Sequence, residues 1–185
     1  MEKEKHDSDS KTQSKKEVEI IDNVINKLLP QLNIKVTPSQ KDSFLISQND
    51  KVKMQFDLYL PEEKVIGEVY VTELPLNSGR RRKIMSDLLK IITFERLKQN
   101  EGQGEYKKFY FLTITEEQER ELTRPEKINN FIKHSRENSF IGKDAWINVT
   151  LKEFGIQLYY FVIMDKKFLA DLKLTRAKQT EGMKG

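Results

Sequence analysis

The sequence predicts an α/β protein, a three-layer sandwich in which a mixed sheet of about five strands lies between helices. Three observations carry this expectation. Two alternating runs on either side of Pro61 read as a β-hairpin. A helical pattern from about Arg80 to Gln99 is apolar over most of its girth, as in a helix laid across a sheet. Two near-continuously apolar runs, Lys108–Ile114 and Gln157–Met164, read as strands buried on both faces.

The elements follow in order. Residues 1–16 are polar and mixed in charge, and are expected to be a disordered tail ahead of a single domain over 17–172 and a flexible tail over 173–185. Val18, Ile21, Val24, Ile25, Leu28, Leu29 and Leu32 recur at helical spacing, and Pro30 should end or kink that helix. Asp22 sits at the margin of this stripe, as a solvated flank residue or as an acid looking into a site. Ser43–Ser47 is a short strand candidate.

Lys51–Leu60 alternates, with Met54, Phe56 and Leu58 on one face and Gln55, Asp57 and Tyr59 on the other. In Val65–Glu73, Gly67, Val69 and Val71 take one face, and Ile66, Glu68, Tyr70 and Thr72 take the other. A strand after the long helix should cross over parallel to an earlier one. Thr115–Glu137 reads as helix in two pieces broken before Pro125. Ala145–Phe154 reads as an amphipathic helix capped by Gly155, and Trp146, Phe154, Tyr159 and Tyr160 read as core.

Composition narrows the function classes. The chain has 185 residues, 37% hydrophobic and 34% charged, and no apolar run approaches the ~20 residues of a membrane helix. With no cysteine, disulfides, thiolate zinc sites, iron–sulfur clusters and a cysteine nucleophile are excluded. The first residues lack the apolar core of a secretory signal, so a cytoplasmic location is expected. The net charge of +4 is the small difference between 33 cations and 29 acids, so the placement of the cations matters more than their sum.

Two placements carry chemistry. Asp57 and Glu68 fall on the two arms of the hairpin, directly or nearly opposite each other across the turn. Opposed strand positions lie about 5 Å apart, and like charges there are destabilising unless a cation compensates. They read either as a polar sheet face in water or as ligands of a hard divalent ion, with the Val69 carbonyl able to complete such a site. The second placement is the run Arg80, Arg81, Arg82 and Lys83 at a helix start, where cations oppose the helix dipole. It is either a solvated cluster or a phosphate-binding site, helped by free N–H groups after Ser78 and Gly79. His6 and His134 carry no motif, and no Gly-rich nucleotide loop, nucleophile elbow or HExxH is present.

The segments FDLYLP and IGEVYVTE, followed by SGRRRKIMSDLLK, resemble the restriction-endonuclease-like, or PD-(D/E)XK, nuclease superfamily. DAWINVTLKEFGIQLYYFVI is similar to the last helix and strand of small bacterial members, and the likeness in element order covers about Glu17–Met164. The resemblance implies a restriction-endonuclease-like sandwich and Mg²⁺ or Mn²⁺ as cofactor. Asp57 takes the place of the strand aspartate, Glu68 that of the following acid, and Asp22 (or Glu17) that of the first-helix acid. Phe56 stands where proline is usual, and Tyr70 where the family usually has lysine; a phenol of ordinary pKa near 10 is uncharged at neutral pH. Some members bring the lysine from the next helix, and Lys83 is so placed.

The function expected is therefore a metal-dependent endonuclease acting on nucleic acid, DNA ahead of RNA. Asp57, Glu68 and Asp22 would hold the ion, Lys83 would steady the phosphate or water, Tyr70 would hydrogen-bond one of them, and Arg80–Arg82 would hold the backbone. Restriction-like nucleases often cut as dimers, so a homodimer is admitted, although no dimer surface is legible. The alternatives are a catalytically inactive nuclease-like fold that binds nucleic acid or protein, and an interaction module for acidic partners.

Overall fold

The computed structural model of the chain describes residues 15–36, 54–72, 74–123, 125–135, 138–141 and 145–164, together with 168 and 170. The expected strand Ser43–Ser47, the body of the N-terminal tail and the C-terminal tail lie outside these residues.

Helix α1 is described over 15–31 and buries Ile20, Val24, Leu28 and Leu29 completely. Pro30 has no N–H to continue the ladder. The helix absorbs this in a π-helical turn at Val24–Leu28, where the Leu29 N–H reaches back to the Val24 carbonyl, and stops one residue after the proline. Asn33, in the left-handed region at φ 57°, turns the chain away, and the Ile34 N–H returns to the Leu29 carbonyl at 2.9 Å.

Strands β1 (Leu58–Leu60) and β2 (Val65–Tyr70) form the expected antiparallel hairpin, with Leu58 opposite Gly67 and Leu60 opposite Val65. The first arm is shorter than its alternation predicts. Phe56 and Tyr59 are of opposite parity, yet both pack edge-on to Phe94, with ring centroids 5.1 and 5.8 Å away. No straight strand satisfies both contacts, so the backbone bends at Asp57 and residues 54–57 leave the ladder. Each such aromatic contact is worth about 0.5–1.5 kcal/mol beyond burial.

Helix α2 (Ser78–Asn100) starts two residues earlier than its apolar pattern indicates, because the Asn77 side chain caps it by accepting the Arg80 N–H at 2.9 Å. Ile84, Leu88, Ile91 and Phe94 bury its inner face against β1, β2 and β3 (Lys107–Thr115). Each fully buried side chain of this size contributes about 1.5–3 kcal/mol. β3 lies parallel to β2, as a crossover through α2 requires.

A capping box on Thr115 and Gln118 opens the short helix α3 (Glu116–Arg120). The second helix expected before residue 137 is instead a hairpin of β4 (Lys127–Ile128) and β5 (Phe131–Lys133). Asn129, at φ 53°, makes its tight turn, and Phe131 and Ile132 are fully buried against β6 (Ile156–Ile163). Hydrophobic burial of that pair decides against the helix.

Helix α4 (Ala145–Glu153) buries Ile147 and Leu151, one turn apart, and ends at Gly155 in the expected left-handed cap at φ 59°. Trp146 is not core. It lies off that stripe and is 77% exposed, whereas Tyr159 and Tyr160 are buried and Phe154 is half-buried.

Among the described residues six strands form one mixed open sheet in the order β1-β2-β3-β6-β5-β4, so the protein is α/β, and β4 and β5 are strands that the sequence pattern does not indicate. One face carries α2 and α4 over Ile66, Tyr110, Leu112 and Leu158; the other carries α1 over Val65, Val69, Phe109 and Phe111. Among the described residues no helix is long and apolar enough to cross a membrane.

Candidate active site

The carboxyl end of β2 is where the charged residues gather, outside the ends of the parallel strands, the usual place for a ligand in an open α/β sheet. The chain enters β1 there, leaves β2 there and starts α2 there. Each contributes side chains.

Asp57 stands at the bend before β1. Continuing the register past Leu58 places it opposite Glu68, as the hairpin arithmetic predicts. Because the backbone has left the ladder, its carboxylate supplies the missing acceptor, and Oδ2 takes the Val69 N–H at 2.8 Å. Val69 therefore meets Asp57 through its N–H.

Glu68 points toward α2 and is 3% exposed. Its Oε1 touches the Lys90 ammonium as an ion pair. Lys90 is held in turn by the Gln55 carbonyl at 2.7 Å and by the face of Phe56, with the ring centroid 5.1 Å away. Burial first, and the Asp57 charge second, push the Glu68 carboxyl up to about 8, with Lys90 offsetting part of the rise.

Lys83 lies one turn into α2, its Nζ 2.5 Å from Asp87 Oδ1 and 6.0 Å from the Tyr70 ring centroid. Partial burial pulls its pKa down, but Asp87, Glu68 and Asp57 outweigh this and hold it above the usual lysine value. Lys83 is thus charged at neutral pH beside Tyr70.

Glu17, from the start of α1, is the first-helix acid in this neighbourhood. Burial, and then repulsion from Asp57, push it up to about 7, with Lys83 opposing and Asp87 adding. Asp22 is not among the charges that act most on Glu17, Glu68 or Lys83; it is half-buried further along α1, where its backbone carbonyl accepts from Asn26 at 2.8 Å.

Three members were not singled out from sequence. Asp87 is 4% exposed, and its Oδ2 accepts the Tyr110 hydroxyl at 2.9 Å. Its signal was present: it falls between Ile84 and Ile91 on the buried stripe, where an acid needs a partner. Lys90 and Tyr110 gave no such signal, one being an ordinary helix lysine and the other one aromatic in an apolar strand.

The basic run divides. Arg81 and Arg82 are exposed, while the Arg80 guanidinium reaches back to the Pro75 carbonyl at 2.9 Å. The N–H groups expected to bind an anion are partly occupied, since Asn77 already takes that of Arg80.

Four carboxyl groups, Glu17, Asp57, Glu68 and Asp87, thus gather in the company of two ammonium groups, and their crowding is met in part by the raised pKa of Glu17 and Glu68. Among the described residues no three carboxylate or imidazole groups converge as a ready-made cage for a metal ion. No family model matches the chain, and no curated protein or solved structure gives a match.

Proposed function

We propose that the chain is a cytoplasmic, metal-dependent nuclease that hydrolyses phosphodiester bonds of nucleic acid, on a restriction-endonuclease-like sandwich. The observation that carries this reading is the meeting of Asp57 and Glu68 from one hairpin with Lys83 from the next helix, at the carboxyl end of β2. A hard divalent ion fits the donor set. The donors are carboxylate oxygens, and the repulsion between Asp57 and Glu68 calls for a cation.

Asp57 and Glu68 would hold Mg²⁺ or Mn²⁺, with Glu17 in the place first given to Asp22. Such an ion, when bound, polarises a phosphoryl oxygen and makes a nucleophile of water at neutral pH. Lys83 supplies a positive charge to the attacked phosphate, and the Tyr70 phenol can donate a hydrogen bond to that phosphate or to water. Arg81 and Arg82, exposed on the first turn of α2, suit bidentate contacts to the backbone of DNA, the substrate expected ahead of RNA. A homodimer would let two such sites act on two strands.

One observation favours the second reading, a catalytically inactive fold that binds nucleic acid or protein. Lys90 already supplies Glu68 with a cation from within the chain. The test is incubation with plasmid, single-stranded DNA and RNA, with Mn²⁺ or EDTA, beside Asp57→Asn and Glu68→Gln. Cutting that needs the metal and is lost in both variants supports the nuclease. Salt-sensitive binding without cutting, unchanged by either substitution, supports the inactive fold.

A further inference from the structure

We propose that Asp87 is a positioning residue, which, fixed by Tyr110, holds the Lys83 ammonium over Tyr70 at the mouth of the acid pair. This rests on the nuclease reading for its purpose but on three contacts for its geometry.

Tyr110 Oη donates to Asp87 Oδ2 at 2.9 Å, and Lys83 Nζ donates to Asp87 Oδ1 at 2.5 Å. One carboxylate thus bridges a phenol rooted in the sheet and an ammonium on the helix surface. Tyr110 is 1% exposed and in register with Glu68, so it cannot move without disturbing the sheet. Its bond fixes the Asp87 carboxylate, and the second oxygen of that carboxylate fixes the end of a flexible lysine whose side chain is half exposed.

Helix stability does not account for this arrangement. A lysine one turn before an acid is the less favourable order for such a pair, and a cation in the first turns opposes the helix dipole. A carboxylate on the buried face carries a desolvation cost that leucine at this position would avoid. Three unfavourable choices in one chain of contacts are accounted for if the ammonium must stand at one place. That place is beside Glu68 and Asp57, the charges that act on Lys83 after Asp87.

Here Lys83 would be the group that touches the phosphate, and Asp87 would act through it. Freed from Asp87, the ammonium would swing over several rotamers, and misplacement of about 1 Å costs on the order of a hundredfold in rate.

The experiment uses the full chain labelled with ¹⁵N-lysine, with the Lys83 ammonium resonance assigned by its loss in Lys83→Arg. In the wild type that resonance is expected to be sharp and protected from solvent exchange at neutral pH. Asp87→Asn, nearly the same shape, should broaden it into the exchanging population, and Tyr110→Phe should do so in part, while the other lysine signals report an intact fold. If phosphodiester cleavage is found, Asp87→Asn should lower kcat by about a hundredfold with KM little changed. An unchanged Lys83 resonance in Asp87→Asn overturns the proposal whether or not the chain cuts nucleic acid. A wild type that does not cut, with the resonance lost in Asp87→Asn, overturns the nuclease reading and leaves the positioning role standing.

Discussion

Glu68 and Tyr110 stand side by side in register on β2 and β3, and each meets a different side chain of α2: Glu68 meets Lys90, and Tyr110 meets Asp87. Positions 87 and 90 share one face of the helix. The sheet therefore presents an acid beside a hydroxyl, and the helix answers with a lysine beside an acid. This pairing fixes how α2 is rotated over the sheet more tightly than its apolar stripe alone could, because leucine contacts tolerate slippage and buried polar contacts do not. It also decides which charges are left facing the end of β2.

Asp57 should be worth more to the fold than a half-exposed aspartate usually is. Its Oδ2 is the acceptor for the Val69 N–H at a point where the ladder has ended. Asp57→Ala leaves a buried backbone donor without a partner and should cost about 1–3 kcal/mol in urea unfolding at neutral pH. Asp57→Asn keeps an acceptor oxygen and should cost clearly less. Equal losses in the two variants would show that the Val69 contact is not what Asp57 contributes.

Glu68 gives stability a slope with pH. Its carboxyl is pushed up from 4.5 to about 8 in the fold, so the folded chain keeps a proton that the unfolded chain releases. Between those values unfolding releases a proton, and stability present at low pH is lost as pH rises through about 8. Glu17 acts in the same sense up to about 7. Glu68→Gln removes the larger part of this slope. Unfolding free energies at about pH 5 and about pH 9 should fall apart less in Glu68→Gln than in the wild type. A wild-type slope unaltered by the substitution would refute the assignment.

The legible parts of the sequence were those governed by one local rule. Alternation gave the Val65–Tyr70 strand and the facing of Glu68 and Tyr70; continuous apolarity gave β3 and β6; Gly155 gave the end of α4. What failed was settled by partners distant in sequence. Phe94 draws Phe56 out of its strand from 38 positions away. The charged stretch before residue 137 turns into a hairpin because Phe131 and Ile132 have β6 to pack on, which no local period records. The acids of the hairpin and Lys83 were legible because turn geometry and a helix start place them. Asp87, Lys90 and Tyr110 became visible only once α2 lay across the sheet.

The single tryptophan gives a direct optical check of the α4 packing. Trp146 is 77% exposed, so the native protein should emit close to the wavelength of indole in water and be quenched efficiently by iodide. Trp146→Ser should alter stability by no more than about 0.5 kcal/mol, since nothing buried is lost. A blue-shifted, shielded emission would mean that this face of α4 is covered.

His134 should oppose the acids in its pH response. Its Nδ1 lies 2.9 Å from the Tyr160 hydroxyl and its Nε2 3.1 Å from Asn148 Oδ1. The Tyr160 oxygen accepts the Phe140 N–H at 2.9 Å. In the neutral tautomer Tyr160 donates to Nδ1 and Nε2 donates to Asn148, so every member of the relay is satisfied. Protonating Nδ1 turns that acceptor into a donor, so the Tyr160 hydroxyl would have to turn from donating to accepting. Burial lowers the His134 pKa below 6.5, with hydrogen bonds to Asn148 and to the Asn138 backbone offsetting part of the effect. The unfolded chain then takes up a proton near 6.5 that the folded chain refuses, so stability is lost as pH falls through that value toward the lower folded one. Compared with His134→Gln, the wild type should hold its advantage at about pH 7.5 and lose part of it by about pH 5.5. Taking the difference between the two proteins cancels the opposing contributions of Glu17 and Glu68. An advantage that is the same at both pH values would show that His134 does not titrate across the folding transition.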